Sequence, residues 1–192
     1  MKHANSPEDF MSTQQIQIQT NQPYTLQPGK FNPQAATANA GDNITWFNAD
    51  TTSHWPTPNA SDKSAWFKTE IKPGDPSGGQ VALGPNPINV TAASNTNPVV
   101  LTVEGTAPAS GAPVTLSYDT DVDDDPWQTA INNLQQPVTA TNVAANQCSV
   151  LLDATGLGAM QGTLTVNVPY TINYVCALHP QETGSITVNP QQ

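Results

Sequence analysis

Three side chains carry the most chemistry in this sequence: His54, Cys176 and His179. The chain holds three histidines and two cysteines in 192 residues, so each is a scarce choice. His54 stands in AGDNITWFNADTTSHWPTP, just past a strand-like run. Cys176 and His179 stand in INYVCALHPQETGSITV, in a turn between two strand-like runs, with Glu182 further along the same turn. Two imidazoles and one thiolate combine borderline nitrogen donors with a soft sulfur, which is the set a trigonal copper site takes. A second reading stays open, because Cys148 and Cys176 would form a disulfide if the protein is exported. On the metal reading Cys176 is a thiolate ligand and Cys148 a buried free thiol.

The elements that must position these residues read as β-strands. Gln15–Gln19 alternates with period two, and Asn43–Phe47 is introduced by the Gly41-Asp42 turn. Val99–Val103 and Val114–Tyr118 flank a Pro/Ala/Ser/Gly linker and read as a hairpin. Strands then follow over Ser149–Leu152, Thr163–Val168, Thr171–Cys176 and Ser185–Val188. Many short strands punctuated by Gly, Pro and Asn point to an all-β sandwich or barrel.

DDDPWQTAINNLQQP departs from this pattern. Trp127, Ile131 and Leu134 fall on one helical face, Asp125 suits the N-cap, Pro126 the first helical position, and Pro137 the end. The acidic cluster Asp119, Asp121, Asp123, Asp124 and Asp125 then reads as a cap with a solvated loop. A calcium loop starting at Asp119 would need Gly where Asp124 stands and Glu where Ala130 stands.

Composition excludes several classes of function. The formal charge is -10 and the chain has no Arg, so no basic patch is available for nucleic acid. An acidic surface would instead steer a basic protein partner. No apolar run approaches the length of a membrane span. Residues 1–13 read as a flexible leader without the apolar core of a signal peptide. Low charge with abundant Thr, Asn and Gln suits a periplasmic or extracellular protein whose signal has been removed.

With these motifs in order, the sequence resembles the cupredoxins, the type 1 blue-copper family of plastocyanin and pseudoazurin. The resemblance rests on Phe31-Asn32-Pro33, on Ala40-Gly41-Asp42-Asn43-Ile44-Thr45-Trp46-Phe47-Asn48-Ala49-Asp50 followed by His54, and on Lys72-Pro73-Gly74. It closes with Tyr174-Val175-Cys176-Ala177-Leu178-His179-Pro180 and Gly184-Ser185-Ile186-Thr187-Val188. These lie in two stretches, 31–74 and 174–188, towards the two ends of the chain. The resemblance implies a Greek-key β-sandwich with one copper ion held by His54, Cys176 and His179. It also implies one-electron transfer to a redox partner protein, with Trp55, Leu178 and Pro180 as apolar neighbours of the histidines. Asn48 or Asp50 is expected to fix the loop before His54 by hydrogen bonds.

Two departures from the family pattern matter. Glu182 stands where the family usually has an axial methionine. As a ligand it would favour Cu(II), lower the potential and shift the colour from blue towards green or red. The alternatives are a site with no axial side chain, completed or not by the Ser53 carbonyl, and an axial Met160. The second departure is length. Within a single domain over residues 14–192, residues 85–161 read as an insertion carrying the hairpin, the helix and Cys148. The leading expectation is an electron carrier rather than an enzyme. Its rivals are a small copper enzyme or sensor of nitric oxide or peroxide with a Glu-modified site, and a metal-free module of the same fold.

Overall fold

A computed structural model describes residues 12–19, 31–59, 66, 69–75 and 79–191. The expected leader lies outside the described residues as far as residue 11. Among the described residues the protein is mostly β, with one short helix. No helix there is long and apolar enough to cross a membrane. The chain divides into two compact units, one running up to Gly84 and including Ile172–Ile186, the other Pro85–Thr171 with Thr187–Gln192.

The first unit holds one four-stranded sheet and most of a second. One contains β1 (Thr13–Ile18), β2 (Phe31–Asn32), β4 (Asn43–Asn48) and β6 (Gln80–Ala82), in the order β2-β1-β4-β6. The other contains β3 (Ala35–Asn39), β5 (Pro56–Pro58), β14 (Tyr170–Cys176) and β15 (Thr183–Asn189), in the order β3-β15-β14-β5. Period-two alternation puts Ile16, Ile18, Ile44 and Trp46 on the buried face of the first sheet. Ala36, Ala38, Tyr174 and Ile186 do the same for the second. The two faces meet in an aromatic cluster, where the Tyr174 ring lies 4.8 Å from Phe31 and 5.6 Å from Trp46, both edge-on.

The Ala40-Gly41-Asp42 turn does more than reverse the chain. Gly41 takes φ +93°, which favours glycine, and its N–H donates to Leu83 O. Asp42 is buried and accepts from the Ser12 N–H and hydroxyl at 3.1 and 2.7 Å and from the Asn39 N–H at 2.8 Å. These bonds lock β1 parallel beside β4, with Thr13 opposite Asn43.

In the second unit a seven-stranded sheet runs β10-β9-β13-β7-β8-β12-β11. Its strands are β7 (Pro87–Ala93), β8 (Val99–Val103), β9 (Pro113–Asp119), β10 (Val138–Thr139), β11 (Thr141–Ala144), β12 (Gln147–Val150) and β13 (Thr163–Asn167). The edge strands β10 and β11 are joined through Ala140 alone, so the sheet must curl until its edges meet. Its core takes Val99, Leu101, Val114, Leu116, Cys148, Leu164 and Val166, with Trp127 and Ile131 of α1 (Pro126–Asn132). Asp125 caps α1, accepting from the Trp127 N–H at 2.8 Å.

The hairpin expected between Val99–Val103 and Val114–Tyr118 is not formed. β8 pairs with β7 and β12, while β9 pairs with β13 and β10. The short connection 94–98 joins β7 to β8 and fastens it, the Ser94 N–H donating to Val100 O and the Ser94 hydroxyl accepting from the Val100 N–H. The longer, proline-bearing link 104–112 lets β9 travel across the sheet instead. Residues 85–161, expected from the sequence to be an insertion, all fall in this second unit.

Candidate metal centre

The site is built in the first unit from two stretches of backbone. The first descends from β4. Asn48 is its last residue and is fully buried; its Oδ1 accepts from the Asp50 N–H, and its Nδ2 donates to Thr52 O and Ile71 O at 2.7 and 2.9 Å. One amide side chain thus closes the 48–52 loop and ties it to the strand segment at Ile71. His54 and Ile71 exchange backbone bonds in a bridge. Beyond Ile71 comes the Lys72-Pro73-Gly74 turn, with Pro at the second position and Gly74 at φ +68° in the third. The Gly74 N–H donates to Asn48 O, so the turn buttresses the same loop.

The second stretch is the turn from β14 to β15. Cys176 ends β14, opposite Pro56 of β5, which brings it beside His54. The His179 N–H donates to Cys176 O and the Glu182 N–H to His179 O, two successive tight turns. The Cys176 N–H then donates to Glu182 O, closing the loop. Spacing by three therefore returns Cys176, His179 and Glu182 to one side of a compact coil.

The structure brings all four expected donors together. Their ligand atoms lie within 4.8 Å of one another. His54 Nδ1 is 2.8 Å from Glu182 Oε2 and 3.7 Å from Cys176 Sγ. His179 Nδ1 is 3.5 Å from Cys176 Sγ and 3.7 Å from Glu182 Oε1. A tetrahedral ion with usual nitrogen and sulfur bond lengths separates its ligand atoms by about 3.3–3.8 Å. Three of the four contacts match that spacing, and the fourth, at hydrogen-bond length, must open slightly. His54, Cys176 and Glu182 are buried, whereas the side chain of His179 is 33% exposed.

Electrostatics argue the same way. Burial disfavours a charge on His54, but Cys176, Glu182 and Asp50 outweigh it and push the imidazole up to about 10. A sulfur and two carboxylates around one buried ring form an acceptor-rich cluster that calls for a cation. Without a metal, the second proton on His54 takes that place. Burial also works against charge on Asp50, yet bonds from the Thr51 N–H, His54 and Thr52 hold its carboxyl below the ordinary value. The group His54, Cys176, His179 and Glu182 can hold a metal ion, and its sulfur-and-nitrogen donors suit copper or zinc.

Both cysteines are free thiols, so the disulfide considered from the sequence is not made. Cys148 sits in the core of the second unit, where burial pushes its thiol up and leaves it inert. Met160 packs against that same core. Two further contacts were not legible from the sequence. The Trp55 N–H donates to Cys176 Sγ at 3.3 Å, and Asp50 Oδ2 meets His54 Nε2 at 3.0 Å. The second had a signal in the i, i+4 spacing of Asp50 and His54; the first, a backbone donor, had none.

No protein-family model matches this chain, and no curated protein matches it significantly.

Proposed function

We propose that this chain is a cupredoxin-type copper protein that passes one electron at a time outside the cytoplasm. The observation that carries the reading is the convergence of His54 Nδ1, Cys176 Sγ and His179 Nδ1, with Glu182 as fourth donor. Copper held there would supply a Cu(II)/Cu(I) couple. The chain's own part is to keep the donors in place in both states. Asn48 and the Pro73-Gly74 turn hold His54, and the successive turns 176–182 hold the rest, so little rearranges when charge changes. His179 is the donor with an exposed edge, and exposed Leu178 stands beside it, which suits transfer to a docked protein. The charge of -10 favours a basic partner.

The acidic fourth donor supports a second reading, a redder, lower-potential centre that binds nitric oxide or peroxide. Its buried donors argue for a closed site, which makes electron transfer the better fit. The test is to add Cu(II) to the reduced protein and record absorption and electron paramagnetic resonance, then add azide. An intense thiolate-to-copper band indifferent to azide is expected. Absence of the band would overturn the copper reading, and a band that shifts with azide would favour the sensor.

A further inference from the structure

We propose that Asp50 is a positioning residue of the metal centre, fixing His54 so that Nδ1 faces the donor cluster and biasing the site towards a divalent over a monovalent ion. This rests on reading the cluster as a copper site.

Both ring nitrogens of His54 are engaged. Nδ1 faces Glu182 and Cys176, while Nε2 lies 3.0 Å from Asp50 Oδ2 and 3.3 Å from Thr52 Oγ1. A neutral imidazole offers a lone pair on one nitrogen only when its proton sits on the other. In the metal-free chain both nitrogens face a carboxylate; once an ion displaces the Nδ1 proton, ionised Asp50, which accepts only, holds the remaining proton on Nε2 and leaves the lone pair on Nδ1 for the ion. Asp50 cannot easily swing away. Its Oδ1 accepts from the Thr51 N–H at 2.6 Å, and Oδ2 from the Thr52 hydroxyl at 3.3 Å. Its own N–H is held by Asn48 Oδ1 at 2.9 Å.

The charges give the second half. Binding an ion requires Cys176 as thiolate and both imidazoles neutral, so with the Glu182 and Asp50 carboxylates ionised the groups around a bound ion would carry three formal negative charges. A divalent ion leaves one negative charge in excess, and a monovalent ion leaves two. The Asp50 side chain is only 13% exposed, so its charge is poorly screened. Removing it should weaken the divalent ion more.

The test compares wild type with Asp50→Asn, which loses the charge and keeps a single acceptor oxygen, so it can serve the Nε2 proton or the Thr51 N–H but not both, and with Asp50→Ala, which loses the charge and both acceptors. Cu(II) and Cu(I) affinities are measured by competition with chelators. Proton–nitrogen NMR of the Zn(II)-loaded protein reads the Nε2-bound proton. Asp50→Asn should lower Cu(II) affinity by about 10–100-fold. The Cu(II)-to-Cu(I) affinity ratio should fall about tenfold, a rise of about 59 mV in a one-electron couple. The Nε2 proton should exchange faster in Asp50→Asn, and faster again in Asp50→Ala. A wild type that binds Cu(II), with an unchanged ratio and unchanged Nε2 exchange in Asp50→Asn, overturns the role of Asp50 and leaves the copper reading standing. A wild type that binds no Cu(II) overturns that reading and this proposal together.

Discussion

Glu182 Oε2 lies 2.8 Å from His54 Nδ1, the same nitrogen that stands 3.7 Å from Cys176 Sγ. A carboxylate therefore competes at the ring atom that also faces the thiol. This makes Glu182 a direct determinant of what the cluster binds. Glu182→Met should retain copper but move the thiolate-to-copper absorption and raise the potential, because a neutral thioether replaces an anionic oxygen. Glu182→Gln should fall between the two. Spectra of Glu182→Met and wild type that superimpose would exclude Glu182 as a ligand.

The pH dependence of the metal-free protein follows from His54. Its imidazole is raised from 6.5 to about 10 in the folded chain. A raised value means that the charged ring stabilises the fold fully below about pH 6.5 and that this contribution disappears as pH climbs through about 10. Thermal midpoints in chelator should fall across that interval, and His54→Gln should flatten the fall. Because a metal at Nδ1 displaces that proton, binding should release it, and apparent affinity should grow over the same interval. Melting curves at a series of pH values and calorimetric titrations in two buffers check both halves. A midpoint indifferent to pH would count against the raised imidazole.

Gly184 is buried against Tyr174. A Cβ at this position would run into the Tyr174 ring, which Phe31, Trp46 and Trp66 hold from other sides. Gly184→Ala should therefore cost about 1–3 kcal/mol through overpacking. The strain falls at the start of β15, close behind Glu182, so metal affinity should drop as well. Denaturant unfolding of the metal-free variant separates the two effects, and unchanged stability would show that Tyr174 has room to move.

In the second unit, the Tyr118 hydroxyl accepts from the Gln161 and Gly162 N–H groups at 3.0 and 2.7 Å and donates to Asp125 Oδ2 at 3.1 Å. Tyr118→Phe should lose about 1–3 kcal/mol, because two backbone donors lose their partner. Asp125 keeps its cap on Trp127 through Oδ1, so helix content should survive. Chemical denaturation followed by fluorescence reads the loss, and a variant as stable as wild type would mean that water replaces the hydroxyl.

What the sequence disclosed was local. The start of the helix was legible because Asp125 and Pro126 mark it, and its cap is made as expected, but it ends at Asn132, short of Leu134 and Pro137, where the Asn133 N–H donates to Thr129 O. The scarcity of His and Cys singled out His54, Cys176 and His179 before any contact was known. Strand partners were less legible. β7 alternates Ile88 and Val90, which pack against the core, with Asn89 and Thr91, but the run is short, only half-buried and follows Pro85 and Pro87, so its signal is weak. Without β7, β8 had no visible neighbour except β9, and the wrong hairpin followed. Glu182 was legible as a candidate, but its contact with His54 depends on backbone bonds in two distant loops. The same holds for the Trp55 N–H, since a backbone donor leaves no trace in residue type.

The contact between His54 and Glu182 spans a sequence separation of 128 residues. A cation gripping both ends would act as a removable staple on a very long chain loop. In a chain-entropy picture, closing a loop of about that size is worth roughly 5 kcal/mol, because the unfolded chain loses freedom. Occupancy would thus be written into the melting temperature as well as the colour, and a protein stripped of its ion would be the form most open to proteolysis.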